Sequence, residues 1–164
     1  MAVQYAIGEG LTVKALTHYV FSAGSAFYLL AAMGLGSAGS FLLAAWLSLS
    51  VNFLIDFAGH GLRSGRPRRS ALTHSVFTGP LWGAVVGSLS ASVFGLSTSR
   101  GQLVLWGAYG AFVAMTHLFL DSLTEGGVYL TSHRIAIAHF RYNNAMLNAS
   151  FVLLGGLLAL LSFV

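Results

Sequence analysis

Long apolar runs separated by short polar segments dominate the chain. Five of these runs are each about as long as the roughly 20 residues that a helix needs to cross a bilayer. The runs cover residues 14–34, 38–59, 72–95, 102–123 and 143–164. Strands of a membrane barrel are disfavoured, because they alternate apolar and polar positions over short segments. The pattern predicts one all-α domain, residues 1–164, folded as a polytopic membrane helix bundle of about five transmembrane helices.

Composition supports the same class of protein. Charged residues make up 7% of the sequence and hydrophobic residues 56%, whereas charged residues make up about 25% of a typical soluble protein. A soluble chain of 164 residues could not hide that much apolar surface from water. The absence of cysteine excludes disulfides and thiolate metal sites. The 20 glycines permit close helix packing in lipid, and Pro80, inside the third run, predicts a kink.

Basic residues predict the orientation in the membrane. Four of the eight basic residues lie between the second and third runs, at Arg63, Arg66, Arg68 and Arg69. Because short loops rich in arginine and lysine stay in the cytoplasm, the amino terminus is expected inside and the carboxyl terminus outside. The net charge of +4 is therefore better explained by topology than by nucleic-acid binding. The expected location is the cell membrane, with lipids as neighbours and homo-oligomerisation left open.

Histidine and aspartate side chains concentrate at the predicted cytoplasmic ends of the helices. In chain order they are His18, Asp56, His60, His74, His117 and Asp121. Asp56 with His60, and His117 with Asp121, are four residues apart, so each pair shares a helix face and could hold one metal ion. Ionisable groups within a membrane are costly and are therefore candidates for function. Imidazoles with carboxylates suit zinc or manganese, which we expect as the cofactor.

Metal-dependent hydrolysis is the leading interpretation of these residues. A bound divalent ion activates water and polarises an ester oxygen, and a carboxylate that the ion does not use, Asp56 or Asp121, would be the general base. The arginine fork binds phosphate and carboxylate groups. Candidate substrate-binding residues are Arg63, Arg69, Arg134, Arg141 and Asn143. The depth of the site favours a lipid or isoprenoid phosphoester as substrate.

Other interpretations stay open. His18 could be a packing residue, Asp56 could cap its helix or pair with Arg63, and the arginine loop could bind anionic lipids. The same histidines and aspartates could form a structural metal site or hydrogen-bond network in a membrane assembly protein without turnover. A third class, an ion or proton carrier, predicts polar residues across the whole membrane thickness, and the outer halves of the runs are nearly empty of them.

Four motifs, in order, resemble a known family. They are LTHYVFSAGSAF, NFLIDFAGH, RRSALTHS and HLFLDSLTEGGVYL. The chain thereby resembles the YdjM-like family of membrane-bound, metal-dependent hydrolases, and in particular its archaeal-type branch. The resemblance implies a polar site of Asp56, His74, His117 and Asp121, with His18 and His60 as further members. The usual family pattern after the second helix is closer to P-D-x-D-H, where this chain has I-D-F-A-G-H.

Overall fold

Five helices and two short hairpins make up the described part of the chain, residues 12–63, 66–96 and 99–164 of a computed structural model. The helices are α1 (Thr12–Ala32), α2 (Ala38–Gly59), α3 (Thr78–Val93), α4 (Arg100–Ser122) and α5 (Ala145–Leu161). The antiparallel hairpins are β1 (His60–Arg63) with β2 (Arg66–Arg69), and β3 (Val128–Leu130) with β4 (His133–Ile135). Side chains are described for 15–59, 69–96 and 99–164. The predicted all-α bundle is confirmed; the two hairpins were not predicted.

Three of the helices are long and apolar enough to cross a membrane. They are Ala15–Ala32 within α1, the whole of α2 and the whole of α4. The other two helices are shorter, with 16 residues in α3 and 17 in α5. The lengths of the three long helices support association with a membrane, because an apolar helix of that size would otherwise need a large protein core to cover it.

Glycines bring the helix backbones close together in two places. A Cβ added to Gly83 of α3 would overlap the carbonyl of Gly110 in α4, and one added to Gly24 of α1 would overlap that of Gly155 in α5. Side chains are therefore excluded at these contacts, as expected for helices that pack through small residues in lipid. The apolar core lies among α1, α2 and α4, and its largest buried members include Phe27.

The third helix begins later than the sequence predicts, at Thr78 rather than at residue 72. The preceding segment pairs with β3 instead: the Tyr129 amide donates to the His74 carbonyl at 2.8 Å, and the Val76 amide donates to the Tyr129 carbonyl at 3.0 Å. Pro80 consequently lies in the first turn of α3, where an amide needs no partner within the helix. The physical reason for expecting a proline kink therefore does not apply.

Candidate metal centre

Four side chains from three parts of the chain surround one point. His117 comes from α4, and its Nε2 lies 3.3 Å from Asp121 Oδ2 and 3.6 Å from Asp56 Oδ1. His74, from the segment before α3, places Nε2 at 3.6 Å from Asp121 Oδ2 and 3.7 Å from Asp56 Oδ1. Each imidazole nitrogen thus faces the same two carboxylate oxygens. We call His74, His117, Asp56 and Asp121 the four-residue cluster.

These separations suit atoms that share a metal ion better than atoms that share a hydrogen. Two ligands at about 2.0–2.1 Å from a tetrahedral ion lie roughly 3.3 Å apart. A charge-assisted N–H···O bond is shorter, at about 2.7–2.9 Å. The distances from 3.3 to 3.7 Å between nitrogen and oxygen in the four-residue cluster are close to the first value. The donor set, two imidazoles and two carboxylates, is one that zinc and manganese accept.

Burial differs sharply within the four-residue cluster. His74, His117 and Asp121 are 0% exposed, whereas the Asp56 side chain is 36% exposed. An ionised carboxylate as buried as Asp121 needs compensating charge or hydrogen bonds. The cluster therefore opens to the outside at Asp56, and this is the direction from which a ligand would reach it.

Asn52 fixes the tautomer of His117. Its amide nitrogen donates to the Ser48 carbonyl at 2.7 Å, and this carbonyl can only accept. The amide oxygen of Asn52 therefore faces His117 Nδ1, at 2.7 Å, and Nδ1 carries the hydrogen. The lone pair of His117 lies on Nε2, which points at the two carboxylates. Holding one ring nitrogen by a hydrogen bond so that the other can ligate is typical of histidines at metal sites.

Thr73 orients His74 in the same way. Its hydroxyl donates to the Ile55 carbonyl at 3.0 Å, so the hydroxyl oxygen accepts from His74 Nδ1, also at 3.0 Å. This arrangement leaves the lone pair of His74 on Nε2. A neutral imidazole with its lone pair there is the form that ligates metal.

Arg69 holds the other oxygen of Asp121. Its Nη2 donates to Asp121 Oδ1 at 2.6 Å, and its Nη1 donates to the Gly127 carbonyl at 3.0 Å. The backbone turns sharply at Gly127, where φ is +59°, a conformation that favours glycine. The guanidinium thus neutralises part of the buried negative charge, and Asp121 Oδ2 remains directed at the two imidazoles.

His18 lies against the four-residue cluster rather than within it. Its ring stacks on that of His117 at a centroid distance of 4.2 Å, and its Nε2 is 3.4 Å from Asp121 Oδ1. His18, His117 and Asp121 also form a group close enough to hold an ion, as do Asp56, His74 and His117. The two groups share His117, but His18 competes with Arg69 for the same carboxylate oxygen. The geometry therefore favours the group that contains His74.

Among the described residues, His117 Nε2 and Asp121 Oδ2 make no hydrogen bond, and both atoms are buried. Leaving a buried polar atom unsatisfied costs about 1–3 kcal/mol, and more for a charged group. A lone pair and a carboxylate oxygen that face each other at 3.3 Å also repel unless a cation or proton lies between them. The residues present therefore fit a divalent ion.

The remaining predicted site residues lie apart from the four-residue cluster or outside the described side chains. His60 and Arg63 belong to β1, and their side chains lie outside the description. Arg134, Arg141 and Asn143 are exposed. No hydrogen bond or ion pair among the described residues joins these three side chains to the four-residue cluster.

Sequence reasoning did not place Asn52 and Thr73 in the site. Asn52 did have a signal, because it precedes Asp56 by four residues and so shares its helix face. Thr73 had one too, since the dipeptide Thr-His occurs three times. The Thr17 hydroxyl instead donates to Asn148 Oδ1, a bond between α1 and α5, and the Thr116 hydroxyl donates to the Val113 carbonyl within α4.

One protein-family description matches the chain. The match covers residues 13–120, more than half of the 164 residues, and the description reads "Protein of unknown function (DUF1286)". No curated protein and no solved structure matches the chain.

Proposed function

Since the chain belongs to the DUF1286 family of proteins of unknown function, we propose its function from the site: a membrane metal-dependent hydrolase. The observation that carries the proposal is the pair of buried atoms without partners, His117 Nε2 and Asp121 Oδ2, which face each other at 3.3 Å. The order of the four sequence motifs supports the same activity and a place in the archaeal-type branch of the YdjM-like hydrolases.

Within the four-residue cluster, His74, His117 and Asp121 would hold one zinc or manganese ion, and Asp56 would not bind it. When bound, such an ion supplies Lewis acidity and makes a water molecule more acidic near neutral pH. His74, His117 and Asp121 are buried and fixed by their neighbours, so their part is to bind and orient. Asp56, which alone in the four-residue cluster is open to the outside, would take the proton from the attacking water.

A lipid or isoprenoid phosphoester is the substrate class that the surroundings favour. Phe53 and Phe57 flank Asp56 along α2, stack on each other with a centroid distance of 5.3 Å, and are 58% and 74% exposed. These rings would contact the chain of an amphiphile beside the opening. The two carboxylates and the Arg69 guanidinium together leave one negative charge, so a divalent ion would leave one positive charge, which suits an anionic head group. Arg63, Arg134, Arg141 and Asn143 remain our proposed contacts to that head group.

The wild-type protein should carry about one zinc or manganese ion per chain after purification in detergent. A metal chelator should remove the ion and abolish hydrolysis of a panel of phospholipids and isoprenoid phosphates, and added ion should restore both. Elemental analysis and phosphate release measure the two effects. Protein that holds no metal, gains no thermal stability from it and cleaves no member of the panel would contradict the proposal.

A structural role without turnover is the second candidate, and a specific observation favours it. Buried polar bonds link separate helices near the four-residue cluster, including Thr17 to Asn148 at 2.8 Å and Ser22 to Thr116 at 2.7 Å. Such bonds fix how helices meet in lipid, where they contribute about 0.6–2 kcal/mol each. An ion carrier ranks third, because the cluster residues lie near the ends of α2 and α4 rather than along them.

We also propose five membrane spans with the amino terminus in the cytoplasm. A reporter fused at Arg66 should then face the cytoplasm and one fused at Val164 should face outward. The physical basis is the group of arginines around β2, which resists transfer across the membrane. A phosphatase and a fluorescent reporter, each active in one compartment only, read the two positions. If both fusions report the same compartment, the five-span topology is wrong.

A further inference from the structure

Arg69 is bound more completely than a residue waiting for substrate. It ends β2, its side chain is 8% exposed, and its guanidinium bridges Asp121 Oδ1 and the Gly127 carbonyl. Its own carbonyl accepts from the Tyr129 hydroxyl at 3.3 Å. Both terminal nitrogens of the guanidinium thus donate hydrogen bonds, and a lysine could not reproduce both bonds with the same geometry.

Gly126 makes room for this guanidinium. A Cβ added there would overlap Nη1 of Arg69. The nearest atoms belong to the flexible end of a long side chain, so an alanine would displace the guanidinium rather than the backbone. The position of the Arg69 guanidinium therefore explains why residue 126 is a glycine.

The consequence concerns how Asp121 meets an ion. Arg69 occupies Oδ1 at 2.6 Å, and only Oδ2 faces His74 and His117, at 3.6 and 3.3 Å. We propose that Arg69 is a positioning residue. By holding Oδ1 it makes Asp121 a monodentate ligand and keeps a second cation out of the metal centre. This inference rests on the proposed metal site.

The exclusion of a second cation follows from the oxygen that Arg69 holds. His117 Nε2 has one lone pair, which the first ion would use. A second ion beside His18 would therefore depend on His18 Nε2 and Asp121 Oδ1, which lie 3.4 Å apart. That ion would share Oδ1 with a permanently charged guanidinium, and like charges at such distances repel strongly in a buried site. Arg69 thus takes the place that a second metal would need.

Cobalt(II) titration tests both parts, because its visible absorption is intense for four-coordinate sites and weak for six-coordinate ones. Wild type should bind one equivalent. Arg69→Lys and Gly126→Ala keep the positive charge but disturb the fork, so cobalt affinity should fall by about 10–100-fold and the absorption should weaken. Arg69→Gln also removes the charge, and it should admit a second equivalent that Arg69→Gln/His18→Ala does not bind. Arg100→Gln, at the exposed start of α4, is the matched control and should behave as wild type.

The possible results separate the two proposals. No cobalt bound by wild type overturns the metal site itself. Wild type could bind one equivalent of cobalt while Arg69→Lys and Gly126→Ala keep the wild-type cobalt affinity and absorption spectrum. That result would leave the metal site standing and overturn the positioning role of Arg69. If wild type binds two equivalents of cobalt, or if Arg69→Gln binds only one, then Arg69 does not exclude a second cation. Circular dichroism in detergent checks folding, and Gly126→Ala preserves the test if the Arg69 variants do not fold.

Discussion

Asp121→Asn should abolish tight metal binding and hydrolysis while the protein still folds. Arg69 only donates, so the asparagine oxygen should stay on the guanidinium and the new amide nitrogen should take the place of Oδ2. That nitrogen would donate to the lone pairs of His74 and His117, which blocks the ion. The loss should exceed the roughly 10–100-fold that removing an outer partner of a ligand costs.

Thermal unfolding in detergent tests whether Asp121 binds the ion, and hydrolysis of the substrate panel separates an enzyme from a scaffold. An ion at 100 times its dissociation constant stabilises the folded state by roughly 2.7 kcal/mol. Wild type should gain this stability with zinc or manganese, and Asp121→Asn should not. Glu125→Gln, the same change at an exposed position, is the matched control and should keep the gain. A variant that still responds to metal, or that still hydrolyses the panel, would contradict the role given to Asp121.

The parts of the site that follow from helix periodicity were predictable from the sequence. His117 and Asp121 share a face because they are four residues apart, and the structure places their side chains 3.3 Å apart. The common depth of His74 and Asp56 in the predicted bundle groups them with this pair, and the structure brings all four side chains together. Depth along an apolar run is a strong constraint, since polar groups within a membrane must meet partners.

The remaining parts depend on tertiary contacts that no local pattern encodes. The sequence predicts Arg69 as a substrate contact, since four arginines in one loop look equivalent in the sequence. What distinguishes Arg69 is the bend of the chain at Gly127, 58 residues away, which supplies its second acceptor. The late start of α3 has a similar cause, because the pairing of Tyr129 with the segment around His74 outweighs the apolar run that predicted a helix.

Replacing the histidines one at a time should rank them as His117, His74 and then His18. His117 belongs to both groups that could hold an ion, so His117→Ala should lower metal affinity the most. The loss should be well over the roughly 100-fold that is the upper limit for removing a hydrogen-bond partner of a metal ligand. His74→Ala removes the other Nε2 that faces Asp121 Oδ2 and should be nearly as severe. His18→Ala should cost about 10-fold or less, because His18 contacts Asp121 only through Oδ1, which Arg69 retains.

The affinities are best measured by chelator competition on detergent-solubilised protein, with circular dichroism to check the fold. His133→Ala, an exposed histidine on β4, is the matched control and should bind metal as wild type does. Glycine variants add a second measurement, because free imidazole should restore binding to His117→Gly and His74→Gly by refilling the ligand position. A loss in His18→Ala that equals or exceeds the loss in His74→Ala would move the ion to the group of His18, His117 and Asp121. The ligand set of His74, His117 and Asp121 would then be wrong.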